Sequence, residues 1–451
     1  MSDSPPAGET LAAFAASTAW DDIPDAVRHQ AKRSLLNFIG CALGASADPT
    51  IAATVDVLTD VSGPPQAGLI GRSERFDMLN ASSVNAIAGN LFDFDDTHLA
   101  TVIHPAAPVA PVTLALAERH GASGRDLLLA LALGIEVECR IGNAVSPAHY
   151  ARGWHITATC GVFGAAAAAA RLLGLGPEAG GHALGIAATE SAGLVENLTT
   201  AAKNVGVGNA ARNGLLAALM ARAGFAAAPL AIEGPLGWAH ATGDVPDLGR
   251  MLGGLGRDWE VNANTFKPYP SGVVLHAVAD ACLALLAAHR IDPSAVETIT
   301  VGGDALLLAR GDRVVRNERD ARVSIQHTVA VALLTGRAGL AEYTPAMAAD
   351  PAIATLRARV RPWLDTTLPK GAACVEIALA DGRVVSETVR HARGSLDKPM
   401  SDEEIEAKVA ALARDSAVAV DIEAVISTVW RLDEVEDTAT LCRLITGRLA
   451  D

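Results

Sequence analysis

Asp93-Phe94-Asp95-Asp96-Thr97-His98, followed by His104-Pro105, sets three carboxylates, a hydroxyl and two imidazoles within twelve residues of a chain otherwise rich in alanine and leucine. Side chains of these types can move protons, hold a cation or anchor an anion. The apolar stretch from Met78 to Phe92 predicts a buried helix that ends in acids. Pro105 biases His104 away from helical geometry, so a loop should turn that histidine back toward the carboxylates. The plainest structural alternative is a polar helix end whose aspartates cap the next element. A calcium loop starting at Asp93 needs glycine at its sixth position and glutamate at its twelfth, and His98 and His104 stand there instead. A zinc or two-metal site lacks a second compact His/Asp cluster, so no metal is expected. Acid–base chemistry or anion handling remains.

Three further clusters carry polar chemistry. His149-Tyr150-Ala151-Arg152-Gly153-Trp154-His155 lies between two predicted helices, and His155 should stand at or just before a helix start, as an acid or base or as a capping residue. Lys203-Asn204-Val205-Gly206-Val207-Gly208, continuing to Arg212-Asn213-Gly214, has the glycine spacing of a dinucleotide loop. It lacks the strand before and the acid after that such a loop needs. A glycine-rich helix start beside Lys203 would still hold an anion. Lys267-Pro268-Tyr269-Pro270-Ser271-Gly272 comes last, with His276 and Asp280 one helical turn apart downstream.

The elements that must position these groups are mostly helical. Apolar spacing predicts helices over 24–45, 49–62, 76–92, 109–119, 124–145, 156–173, 177–192 and 208–224. Residues 234–265 lose that period and are rich in Gly, Pro, Asp and Trp, which marks a boundary. A helix over 272–288 follows, then a strand at Val296–Val301. Asp381-Gly382 between two alternating runs predicts a hairpin. Helical periodicity returns from Ser401 to Leu449. The expectation is a mainly α protein with a helical domain over 1–265, rejoined by 396–451, and an α+β domain over 266–395.

The totals narrow the function. A net charge of −15 argues against a nucleic-acid surface and requires local positive groups for any anionic substrate. Aromatic residues are 4% of the chain, which favours helices packed through small side chains. Met1 to Glu9 shows no signal pattern, and the apolar run Gly161 to Ala170 is too short to span a bilayer. The six cysteines are scattered without a CxxC pair and read as reduced thiols of a cytoplasmic protein.

Taken together, Asp93 to Thr97 with His104-Pro105, Gly208 to Gly214, Lys267 with Tyr269-Pro270, and Gly394 to Met400 resemble the MmgE/PrpD family over nearly the whole chain. That family contains 2-methylcitrate dehydratase, cis-aconitate decarboxylase and iminodisuccinate epimerase. The segment from His149 to Gly164 looks most like the epimerase branch. The resemblance implies a helical domain built from both chain ends, a smaller α+β lid, an active site between them, a homodimer and no cofactor. It places catalytic positions on Asp93, Thr97, His104, His155, Lys203 and Lys267. Two positions depart from the family pattern: Gly206 where a histidine is frequent, and His327 where the decarboxylase has tyrosine, which argues against cis-aconitate decarboxylation specifically.

On this basis His104 and His155 are expected as base and acid, with Asp93 orienting an imidazole. Lys203, Lys267 and Arg212 would stabilise an enediolate, and Thr97, Tyr269 and His327 complete the substrate contacts. The expected activity is a lyase of dehydratase type on a small di- or tricarboxylate; epimerisation and decarboxylation are the alternatives. A non-catalytic binder of such anions, and a metal-dependent hydrolase using Asp95, Asp96 and His98, are the rivals.

Overall fold

A computed structural model describes residues 5–447, which divide into two compact units. The first takes the chain up to Leu91, then Asp95–Asn264, then everything from Ser401 on; the second takes Phe92–Phe94 and Thr265–Met400.

The first unit is a stack of helices. Gly124–Val145, Ile156–Leu172 and Ala201–Arg222 form its middle, and Ile156 to Ala170 is buried without a break. Small residues make this possible. A Cβ at Gly134 would stand 2.7 Å from the carbonyl oxygen of Gly164, and one at Gly214 would stand 2.6 Å from that of Val162, so the backbones approach closely. The helix Asp402–Ala413 packs on Asp25–Ala45 in the same way, with Gly40 against Val409 and Gly44 against Leu412. Ser123 caps Gly124–Val145 by accepting from the Asp126 N–H.

The second unit has a four-stranded sheet in the order Val360–Leu364, Val296–Gly303, Ala373–Leu379, Val384–Val389, the first pair parallel and the rest antiparallel. Gly382, at φ 84°, makes the expected hairpin turn. Ile299, Val301, Val375 and Ile377 face one buried side, with helices His276–Ala288 and Ile325–Thr335 in the same core.

Three local expectations change. The helix predicted from 208 begins at Ala201, so Gly206 and Gly208 are helical and form no phosphate loop. Gly208 is small because Ile87 and Ser83 press on it. Asp96–His98 is a strand rather than a helix end. Short strands also occur in the helical unit, at Ala67–Gly68 and Arg75–Phe76. Among the described residues no single helix is long and apolar enough to cross a membrane.

Candidate active site

The helix Met78–Asn90 ends just before the acidic stretch, and Asp93 then takes φ 54°, a left-handed conformation that aspartate tolerates better than most residues. The strand Asp96–His98 runs into a tight turn closed by the His98 N–H on the Ile103 carbonyl at 2.8 Å. Val102 in this turn has φ 59°, a strained setting for a β-branched side chain. His98 holds the turn: its Nδ1 lies 2.8 Å from the Thr101 hydroxyl and its Nε2 2.9 Å from Glu260. Asp96 is equally committed, accepting from Asn264 Nδ2 at 2.6 Å and the Ala106 N–H at 3.3 Å. The Asp95, Asp96 and His98 set of the hydrolase rival therefore does not converge on one ion.

The turn delivers His104. Its backbone N–H donates to the Thr157 hydroxyl at 3.1 Å, and its Nδ1 lies 2.8 Å from the Asp96 carbonyl oxygen. A carbonyl only accepts, so Nδ1 carries a proton, and in the neutral ring the lone pair is on Nε2. Thr97 Oγ1 is 3.3 Å from the same Nδ1, beside the imidazole it was expected to serve as a substrate contact. Asp95 Oδ1 lies 3.2 Å from it.

His155 is the N-cap residue of Ile156–Leu172, buried to 3% exposure, and its side chain makes no cap bond, which removes the capping alternative. Its neighbour His149 is structural. It lies between the hydroxyls of Thr242 and Thr159 against Trp154 and Trp238, and burial pushes its pKa down to about 4. Lys203 sits in the first turn of Ala201–Arg222 and is 7% exposed. A lysine at the start of a helix adds its charge to the positive end of the helix dipole, a setting that favours an anion. Arg212 is exposed and follows by nine positions, about 13 Å and half a turn around the axis, so it does not share a small ligand with Lys203.

In the second unit, Lys267 is 2% exposed and bonds Asp93 Oδ1 at 2.8 Å and the Asp93 carbonyl at 3.0 Å. Asp93, expected to orient an imidazole, pairs with Lys267 in its own unit, and Asp95, two positions on, lies beside His104 in the first unit. Gly394, at φ 81°, lies against the Phe266 carbonyl and the Pro268 ring, the two residues flanking this lysine. Tyr269 donates its hydroxyl to Asp280 Oδ1 at 2.6 Å, and Asp280 Oδ2 accepts from the Arg393 N–H. Burial and the Asp280 charge raise the phenol well above its usual range. His276 reaches the Ser271 carbonyl rather than Asp280. His327 is buried with Nε2 2.9 Å from the Glu342 carbonyl, and burial pushes its pKa down to about 4. Tyr269 and His327 thus have internal partners.

Models of the MmgE/PrpD N-terminal and C-terminal domains match residues 9–250 and 269–433. The chain belongs to the MmgE/PrpD family. Its curated relatives include cis-aconitate decarboxylase of Mus musculus, 27% identical over 94% of this chain and 90% of the relative. A cis-aconitate decarboxylase-like protein of Aspergillus oryzae is 28% identical over 95% of both. The cis-aconitate decarboxylase of Aspergillus terreus is 27% identical over 96% and 94%. The chain is accordingly an MmgE/PrpD-type lyase. The motifs that marked the family in the sequence are the ones that carry His104 and Lys267.

Proposed function

We propose that this MmgE/PrpD protein is a cofactor-independent homodimeric lyase that moves a proton at a carbon next to a carboxylate of a small di- or tricarboxylate. The observation that carries this reading is the imidazole of His104, whose Nδ1 donates to the Asp96 carbonyl, so that in the neutral ring Nε2 is the basic nitrogen. A carbon acid of this kind is weak, so its enediolate needs positive charge, for which Lys203, buried in the same unit as His104, is a candidate and Lys267 is the buried lysine of the second unit. His155 is the partner acid. The names of the relatives make decarboxylation the first reaction to try: the bond to the departing carboxylate breaks, its electron pair stays on carbon, and an imidazolium proton takes it up.

Gly206 and His327 favour a second reading, in which the carbanion expels a neighbouring hydroxide or takes its proton back. Incubating the purified protein in deuterated water with a panel of di- and tricarboxylates that includes cis-aconitate, read by NMR, separates these fates. Carbon dioxide with a deuterated product means decarboxylation. A new alkene from a hydroxy acid means dehydration, and deuterium at an inverted centre means epimerisation. Binding without any exchange across the panel overturns the proposal in favour of a carrier, and loss of turnover with chelator points to the hydrolase.

A further inference from the structure

The acid beside His104 is itself held by a chain of amides. Asp95 Oδ1 stands 3.2 Å from His104 Nδ1, and Asp95 Oδ2 accepts from Asn90 Nδ2 at 2.6 Å. Asn204 Nδ2 donates to Asn90 Oδ1 at 3.0 Å and to the Asn90 carbonyl at 2.9 Å. Asp95, Asn90 and Asn204 are all fully buried, and all three belong to the first unit.

The order of donors is fixed by elimination. Asn204 offers N–H groups to Asn90, so the amide oxygen of Asn90 must face Asn204 and its NH2 must face the carboxylate. A flipped Asn90 would set its oxygen against Asp95 and its NH2 against another NH2. One of these bonds has a plain structural purpose: the Asn90 carbonyl is among the last of its helix, and Asn204 satisfies it. The rest of the chain has no such purpose. A buried carboxylate is costly, and a neutral side chain would tie the two helices together more cheaply.

We propose that Asn204, Asn90 and Asp95 form a positioning relay for His104. It adds a second acceptor to the Asp96 carbonyl in keeping the proton on Nδ1 and sets a fixed negative charge against the imidazolium that results. The relay rests on taking His104 as the base. Asn204 follows Lys203 directly, so the same helical turn that presents the cation also aligns the base.

The test is a nitrogen spectrum of the substrate-free full chain labelled with ¹⁵N-histidine, the His104 signals being assigned with His104→Gln. The wild type should show one tautomer, with the proton on Nδ1. Asp95→Asn keeps the shape but removes the charge and one of the two acceptors facing Nδ1, leaving the Asp96 carbonyl, so the His104 nitrogen signals should move and a share of the other tautomer should appear. Asn204→Asp keeps its shape but in its ionised form donates nothing, which frees Asn90 to turn and should displace the same signals. Circular dichroism checks the fold, and if one variant does not fold the other reads the same nitrogens. With any panel acid that turns over, each variant should lose about a hundredfold in kcat with KM within a few-fold, the scale of losing a placed base. Unchanged His104 signals in the folded variants overturn the relay whatever turnover does. Changed signals in a protein that acts on no panel acid uphold the relay and overturn the proposed function instead.

Discussion

At the scale of single residues, the account turns on two histidines and one buried acid. His104→Ala and His155→Ala should each reduce turnover by about a hundredfold or more, as loss of a placed acid or base does, with the thermal midpoint little changed. Near-normal rates in both would remove them from the chemistry. Asp96 gives a stability prediction of definite sign. Burial, and then the charge of Asp95, raise its carboxyl from near 3.8 to about 7. Below about pH 4 folded and unfolded chains both hold that proton. Between about 4 and 7 only the folded chain holds it, so stability falls as pH rises and the loss is complete above about 7. His149 and His327, pushed down to about 4, act the other way and weaken the fold as pH falls below about 6.5. Asp96→Asn isolates the acid. It loses one favourable contact at every pH, yet its thermal midpoint should gain on the wild type between pH 5 and 8, by an amount on the order of a few kcal/mol in stability. A constant difference across that range would contradict the assignment.

At the scale of elements, close packing of helices through glycine and alanine sets how the site is held. Gly214→Ala pits two effects against each other. Alanine favours a helix by about 1 kcal/mol over glycine. Its Cβ would stand 2.5 Å from that of Ala165 and 2.6 Å from the Val162 carbonyl, and backbone cannot step aside cheaply. Overpacking of that kind costs about 1–3 kcal/mol, so net destabilisation in urea is expected, and a stabilised variant would show that the helices are free to part. The same packing explains what was legible in the sequence. Gly124–Val145 and Ile156–Leu172 could be read closely because their apolar runs are continuous and Ser123 marks a start. The beginning of Ala201–Arg222 could not, because Lys203, Asn204 and two glycines look like a loop until the burial of the first two is known. Near the site the pairings were not legible: Asp93 and Asp95 differ by two positions, and Lys267 pairs with the first while His104 lies beside the second.

At the scale of the whole molecule, the proposed function requires a chain of −15 charge to attract a polyanion. Lys203 and Lys267 are both buried, which contradicts the idea that they are solvated surface charges. Lys203→Met and Lys267→Met should each weaken citrate binding by roughly tenfold or more, the value of a hydrogen-bonded charge of about 1.5–3 kcal/mol. Each should also show a smaller salt dependence than the wild type by calorimetry at two ionic strengths. Equal affinity in both variants would remove the lysines from substrate binding. The central claim is proton transfer at carbon by His104, and the most direct measurement follows deuterium from solvent into the carbon next to a carboxylate. With the acid that the wild type turns over, the wild-type protein should incorporate solvent deuterium at that carbon, and His104→Gln, folded to the same thermal midpoint, should do so at least about a hundredfold more slowly. Equal incorporation by the two proteins would contradict the account.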